Sequence, residues 1–199
     1  TGAGKSSILN SLFRIAPISG GVMLLDGVDI VKVPVRNLRS QIAIVPQSPF
    51  LFEGTLRDNL DPFGTCDDEG VWNALEKCQV KQAVEASGGI DAAVGASFSV
   101  GQRQLLCLAR AILRRTRVLC LDECTANVDH QTAVALQNAI ETACEGVTLI
   151  NIAHRISTVL SMDTIIVLEH GYLVEKGSPA ELLNDLSSRF HCFAKASGM

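Results

Sequence analysis

Residues 1–7 read TGAGKSS, and apolar residues then recur at Ile8, Leu9, Leu12 and Phe13 until Pro17. A glycine-rich loop running straight into such a helix leaves the first N–H groups of the helix without intrahelical partners. Those groups, with the partial positive charge of the helix start, suit a phosphate, and glycines let the backbone curl around it without Cβ clashes. Gly4-Lys5-Ser6 closes the pattern Gly, four residues, Gly-Lys-Ser/Thr. In that pattern the lysine reaches the β- and γ-phosphates and the hydroxyl completes a magnesium shell. A glycine-rich turn before an ordinary helix carries the same letters, so the rest of the chain has to decide.

The periodicity that follows is that of a layered α/β chain. GGVMLLDGVDI at 20–30 reads as two short strands around Asp26-Gly27, a favoured tight-turn pair. QIAIVPQ at 41–47 is a buried strand ending at Pro46. From 48 to 116 the pattern is mainly helical, with apolar residues at turns of three and four around Leu56–Leu60, Val71–Cys78 and Gln102–Leu113. Strand patterns return in RVLCLDE (117–123), GVTLINIAH (146–154) and DTIIVLEHG (163–171), the last leading into YLVEKG (172–177). SPAE at 178–181 puts Ser, Pro and Glu where an N-cap, a first helical residue and a capping-box partner belong. Strands alternating with helices predict an α/β core interrupted by a helical insertion.

Composition narrows the classes. A chain of 199 residues with 47% hydrophobic content holds one well-cored domain with a buried sheet. Seventeen basic against 21 acidic residues, net −4, argue against broad nucleic-acid binding. Arg114-Arg115-Thr116-Arg117 is read instead as a basic helix end complementing its dipole. Trp72 is read as a packing residue and not as a base-stacking platform. The seven cysteines include no C-x-x-C pair and are read as reduced, mostly buried thiols in a cytosolic setting, without zinc. No apolar run reaches the roughly 18 residues of a membrane span, and no signal peptide is present.

Two further stretches carry chemistry. RVLCLDE ends a hydrophobic strand in Asp122, delivering a carboxylate to the sheet edge where α/β ligands bind, with Glu123 next in line to polarise a water. FSVGQRQLLCLARAIL (98–113) sets Ser99, Gly101 and Gln102 before a long helix with Leu105, Leu108, Ala109 and Ile112 on one stripe. That helix start is a second anion site. One nucleotide pocket has little use for two such starts, whereas two subunits facing head to tail would use both.

Taken in order, TGAGKSS, VPQSPFLF (45–52), FSVGQRQ (98–104), VLCLDE (118–123), TANVD (125–129) and IAHR (152–155) resemble the Walker A, Q-loop, signature, Walker B, D-loop and H-loop marks of the ATP-binding cassette transporters. The resemblance spans essentially the whole chain. EGTLRDNLDPF (53–63) and SVGQRQLLCLARA (99–111) resemble the second cassette of the C subfamily, the multidrug-resistance-associated proteins, and LCLDECTANVD (119–129) looks plant-like. The resemblance implies a RecA-like P-loop NTPase core, mainly parallel, at 1–47 and 117–199, with a helical signature subdomain at 48–116.

It also implies roles. Gly2, Ala3, Gly4, Lys5, Ser6 and Ser7 would bind ATP, and Mg2+ would be held by Ser6, Gln47 and Asp122. Glu123 would activate the attacking water with Gln47 sensing it, and His154 would contact the γ-phosphate. Ser99, Gly101 and Gln102 would close over nucleotide on a partner cassette, with Asp129 communicating across the dimer. Lys5, Gln47, Asp122, Glu123 and His154 are thus expected to converge on one triphosphate. The implied whole is an ATP-hydrolysing exporter with transmembrane domains in the same polypeptide, working at the cytosolic face of a vacuolar or plasma membrane without nucleic acid. Two alternatives stay open: a soluble cassette ATPase without transport, and a nonfunctional truncated gene fragment.

Departures from the family pattern accompany the resemblance. Val100 replaces the central signature glycine, Cys124 and Asn127 are unusual, and the approach to Ser99 is shorter than the usual one. The first Walker A glycine, its feeding strand and an adenine-stacking aromatic are not among the 199 residues. The expectation is an N-terminally truncated cassette that binds ATP poorly by itself and aggregates.

Overall fold

The computed structural model describes residues 2–94, 98–126, 128–144, 146–153 and 155–197. They divide into two compact units, Thr1–Val33 with Asn151–Met199, and Pro34–Ile150.

The first unit opens with α1 (Lys5–Leu12), which buries Leu9 and Leu12. Arg14 turns the chain out of the helix at φ +50 and donates Nη1–H to the carbonyls of Val33 at 2.6 Å and Ile30 at 3.3 Å. Strands β1 (Leu24–Leu25) and β2 (Val28–Asp29) pair antiparallel around Asp26-Gly27. Both turn residues have positive φ, as a two-residue hairpin turn requires.

The second unit runs through α2 (Val35–Gln41), β3 (Ile42–Val45), α3 (Leu56–Leu60), α4 (Asp68–Lys77), α5 (Lys81–Ala86), α6 (Val100–Leu113), β4 (Val118–Asp122), α7 (His130–Ala143) and the first three residues of β5 (Thr148–Ile152). The sheet order is β3-β4-β5, with β3 and β4 parallel in register from Ile42↔Val118 to Val45↔Leu121. Val118 to Leu121 are buried at every position, the signature of a parallel strand covered on both faces. Helix α6 fills the middle of the unit. Leu105, Leu106, Cys107, Leu108, Ala109 and Ala111 are all buried, so the single stripe expected from the sequence is too narrow. α6 packs between α3, α4, α7 and β3 and is enclosed on several sides. Trp72 lies partly buried against this core, as a packing residue should.

The basic run at the end of α6 is part of the turn into β4. Arg114 caps α6 and donates Nη2–H to the Arg39 carbonyl at 2.6 Å, while the Arg117 N–H reaches the Gln41 carbonyl at 2.9 Å. Of the cysteines, 78, 107, 120 and 124 are buried, 66 and 144 half-buried and 192 exposed, all as free thiols.

The chain returns to the first unit through a 3-10 turn (Ile156–Thr158), the antiparallel pair β6 (Ile165–Glu169) and β7 (Tyr172–Gly177), α8 (Pro179–Asn184) and α9 (Arg189–Ala196). The SPAE cap forms as read. Ser178 Oγ accepts from the Glu181 N–H, and Glu181 Oε2 accepts from the Ser178 N–H. Helix α9 has no counterpart in the sequence reading. Glu175 on β7 anchors it by accepting from the N–H groups of Arg189 and Phe190 and from the Ser188 hydroxyl, and Arg189 pairs with Glu169. Phe190 and Ala194 then bury against Ile156 and Ile165. Among the described residues no helix is long and apolar enough to cross a membrane.

Candidate active site

In the first unit the glycine-rich loop ends at Gly4, which caps α1 at φ +100 without any side-chain cap. A residue with a Cβ is strained in that conformation, so glycine is required where the loop enters the helix. Lys5 is half-buried at the first helical position, followed by exposed Ser6 and Ser7. The loop is tied down from the β6–β7 turn, where the Gly171 N–H donates to the Ala3 carbonyl at 3.1 Å. An uncapped helix start behind a held glycine loop keeps its backbone donors available to an anion. The structure therefore fits a phosphate here. His154, expected to reach the same phosphate, lies outside the described residues.

In the second unit the parallel register does the positioning. Val45 and Leu121 are partners at the ends of β3 and β4. Two residues beyond each of these partners, just past the strands, come Gln47 and Glu123, which the register brings out side by side. Gln47 Nε2 donates to Glu123 Oε2 at 2.8 Å. Asp122 ends β4 half-buried, one residue before the carboxylate that Gln47 holds. The chain then leaves the strand abruptly, because Glu123 sits at φ +50 and its carbonyl accepts from the Ala126 N–H at 3.0 Å. A left-handed conformation at a non-glycine residue costs about 1–3 kcal/mol and concentrates at functional sites. Two buried thiols flank the carboxylates without adding charge: burial pushes Cys120 up to about 12 and Cys124 up to about 11.

The same unit holds the other predicted residues in a separate cluster. Ser99 caps α6 by accepting from the Gln102 N–H at 3.1 Å, and Gln102 Oε1 accepts from the Ser99 N–H at 2.9 Å. This reciprocal cap engages both side chains within the chain. Residues 95–97, which include the shortened approach, lie outside the described residues. Gly101 is buried against α7. A Cβ built there would fall 2.6 Å from Thr132 Oγ1 and 3.1 Å from Thr132 Cβ. Asp129 caps α7, accepting from the Thr132 N–H at 3.0 Å and from the Thr132 hydroxyl at 2.7 Å. Gly101 and Asp129 thus meet on one threonine, a residue that the sequence did not single out.

These two bonds, the hydroxyl first and the amide second, hold the Asp129 carboxyl below its ordinary value. A depressed carboxyl stabilises the fold fully above its unfolded value and loses that contribution as pH falls through the folded value. The α7 cap is therefore expected to weaken in acid, below about pH 4. Denaturant unfolding of wild type and Asp129→Asn over that range checks it, since the asparagine still caps but does not titrate. Parallel pH profiles for the two would contradict the assignment.

Set beside known proteins, these motifs have an unambiguous home. A family model described as "ABC transporter" matches residues 1–126. The chain belongs to the ABC transporter family, and its fold is the P-loop NTPase α/β core with a helical signature subdomain inserted. Its relatives are members of the C subfamily. It is 60% identical to ABC transporter C family member 13 of Arabidopsis thaliana over 200 residues, covering 99% of this chain and 14% of that protein. ATP-binding cassette sub-family C member 10 of Mus musculus is 45% identical over 200 residues, with 99% and 13% covered. Sub-family C member 2 of Homo sapiens is 45% identical over 203 residues, with 100% and 13% covered. The chain spans 13–14% of the length of these curated relatives.

Proposed function

We propose that this chain is the ATP-binding and ATP-hydrolysing cassette of an exporter, and that Glu123 is its general base. The observation that carries the reading is the 2.8 Å bond from Gln47 to Glu123 at the ends of adjacent parallel strands. It fixes a carboxylate oxygen beside a side-chain amide that can also hold a water. In this reading Gly2, Ala3, Gly4, Lys5, Ser6 and Ser7 bind the triphosphate. Ser6, Gln47 and Asp122 hold Mg2+, which supplies charge neutralisation to the phosphates when bound. His154 contacts the γ-phosphate. Residues 48–116 form the signature subdomain, and 1–47 with 117–199 the RecA-like core.

A partner cassette completes the machine. Ser99, Gly101 and Gln102 close over nucleotide on the partner, and Asp129 links the two sites. Transmembrane domains in the same polypeptide convert closure into transport at the cytosolic face of a vacuolar or plasma membrane. The relatives' extra length supports such domains, since the part this chain matches is only 14% of one and 13% of the other. Phosphoryl transfer depends on positioning and electrostatics more than on covalent chemistry, which suits polar residues dispersed over several loops.

ATP titration of the complete polypeptide carrying this cassette tests the reading. Lys5→Ala removes a charge-assisted contact and is expected to weaken ATP binding at this site about tenfold. Equal affinity for wild type and variant would defeat the assignment of the loop to ATP.

A further inference from the structure

Gln104 is 1% exposed, a complete side-chain amide inside the apolar body of α6. Leaving such a group unpaired in the interior is costly, so it must find a partner within the fold. Its Nε2 donates to the carbonyl of Pro46 at 2.7 Å, 58 residues away in sequence. Pro46 follows the last residue of β3, so its carbonyl lies beyond the strand and takes a side-chain donor. The residues at the next helical spacings on α6 reach the same segment. Cys107 Sγ contacts the Phe50 carbonyl at 3.8 Å. Arg110 donates to the carbonyls of Asn59 at 2.6 Å and Phe50 at 3.3 Å, and to Asn59 Oδ1 at 3.1 Å. Its guanidinium also lies 5.4 Å from the centre of the Phe52 ring. Positions 104, 107 and 110 follow one another along a helix face. Together they hold the backbone on both sides of Gln47, immediately before it at Pro46 and three residues after it at Phe50.

We propose that Gln104 is a positioning residue for Gln47: by gripping the Pro46 carbonyl it fixes the backbone from which the Gln47 amide reaches Glu123. The inference rests on the proposed hydrolysis at Glu123. It assigns to α6 a second role besides presenting Ser99 and Gln102, because a shift of the helix is carried to Gln47 through one short hydrogen bond.

The test is a double-mutant cycle on ATP turnover in the complete polypeptide, using wild type, Gln47→Ala, Gln104→Met and the double variant. Methionine keeps the length and apolar volume of the side chain but donates no hydrogen bond. Gln104→Met is expected to lower kcat about tenfold with the KM for ATP within about twofold, and the double variant to be no slower than Gln47→Ala by itself. An unchanged kcat in folded Gln104→Met would overturn the proposal. So would losses that multiply in the double variant, which is the pattern of a purely structural residue. If Gln104→Met gives no folded protein by circular dichroism, Gln104→Asn, with its donor on a shorter arm, takes its place in the cycle with the same two readings. A wild type that binds ATP without turning it over overturns the hydrolytic reading and this proposal with it, a result distinct from an active wild type with an unaffected variant.

Discussion

Glu123→Gln is expected to lower ATP turnover at this site by about 10²–10⁴-fold, the range for removing a general base. Nucleotide binding should survive. The substitution is isosteric and leaves an oxygen to accept the 2.8 Å bond from Gln47 Nε2–H. It does not touch Gly4, Lys5 or the uncapped start of α1. The left-handed turn at Glu123 is a backbone property and passes unchanged to another non-glycine residue. What disappears is the ability to take a proton from water. Single-turnover hydrolysis measured beside equilibrium ATP binding separates the two effects. A turnover rate equal to wild type would remove Glu123 from the chemistry, and the Gln47 contact would then be a strand-end hydrogen bond.

A related substitution isolates the strain. Glu123→Gly deletes the base and also relieves the positive φ, so it should lose turnover without losing thermal stability. Such a separation is how a site that carries conformational strain for function differs from one that carries it for the fold.

Much of this architecture was legible in the residues, for reasons that differ from one element to the next. β4 was legible because four consecutive apolar residues ending in Asp fit a short strand covered on both faces, and all four are buried. The cap of α8 was legible because Ser-Pro-x-Glu satisfies its own donors locally and needs no tertiary partner. α9 escaped because its anchor is remote. Ser188 supplies a local cap by accepting from the His191 N–H, but Glu175, on a strand beforehand, supplies the acceptors for the first two N–H groups, and no local pattern records that. Gln104 escaped for the same reason, since a glutamine in an amphipathic helix looks solvated until the Pro46 carbonyl is found opposite it. The Gln47–Glu123 pair was half legible. Each residue was expected near the reaction, but their direct bond follows from a strand register that two segments 76 residues apart cannot announce.

Gly101→Ala puts helix propensity and tertiary geometry in direct opposition. Gly101 is the second residue of α6, where alanine is the better helix former by up to about 1 kcal/mol, so propensity predicts a more stable protein. The geometry predicts the reverse. The new Cβ would sit 2.6 Å from Thr132 Oγ1, 2.8 Å from Thr132 Cγ2 and 3.1 Å from Thr132 Cβ. Rotating the threonine does not clear the contact, because its Cβ is fixed to the backbone of α7. Its hydroxyl and N–H are both engaged by Asp129 as well. The two helix starts must separate, and overpacking of this kind costs about 1–3 kcal/mol. We expect a net destabilisation of about 1–2 kcal/mol after the propensity gain is set against it. Denaturant midpoints at constant m-value give the sign directly. Adding Thr132→Ala should recover part of the loss, because it removes Oγ1 and Cγ2, the two atoms nearest the new methyl, and leaves the Cβ at 3.1 Å. A Gly101→Ala protein more stable than wild type would mean that α6 and α7 do not approach as described. The proposed signature and D-loop residues would then lose the threonine that connects them.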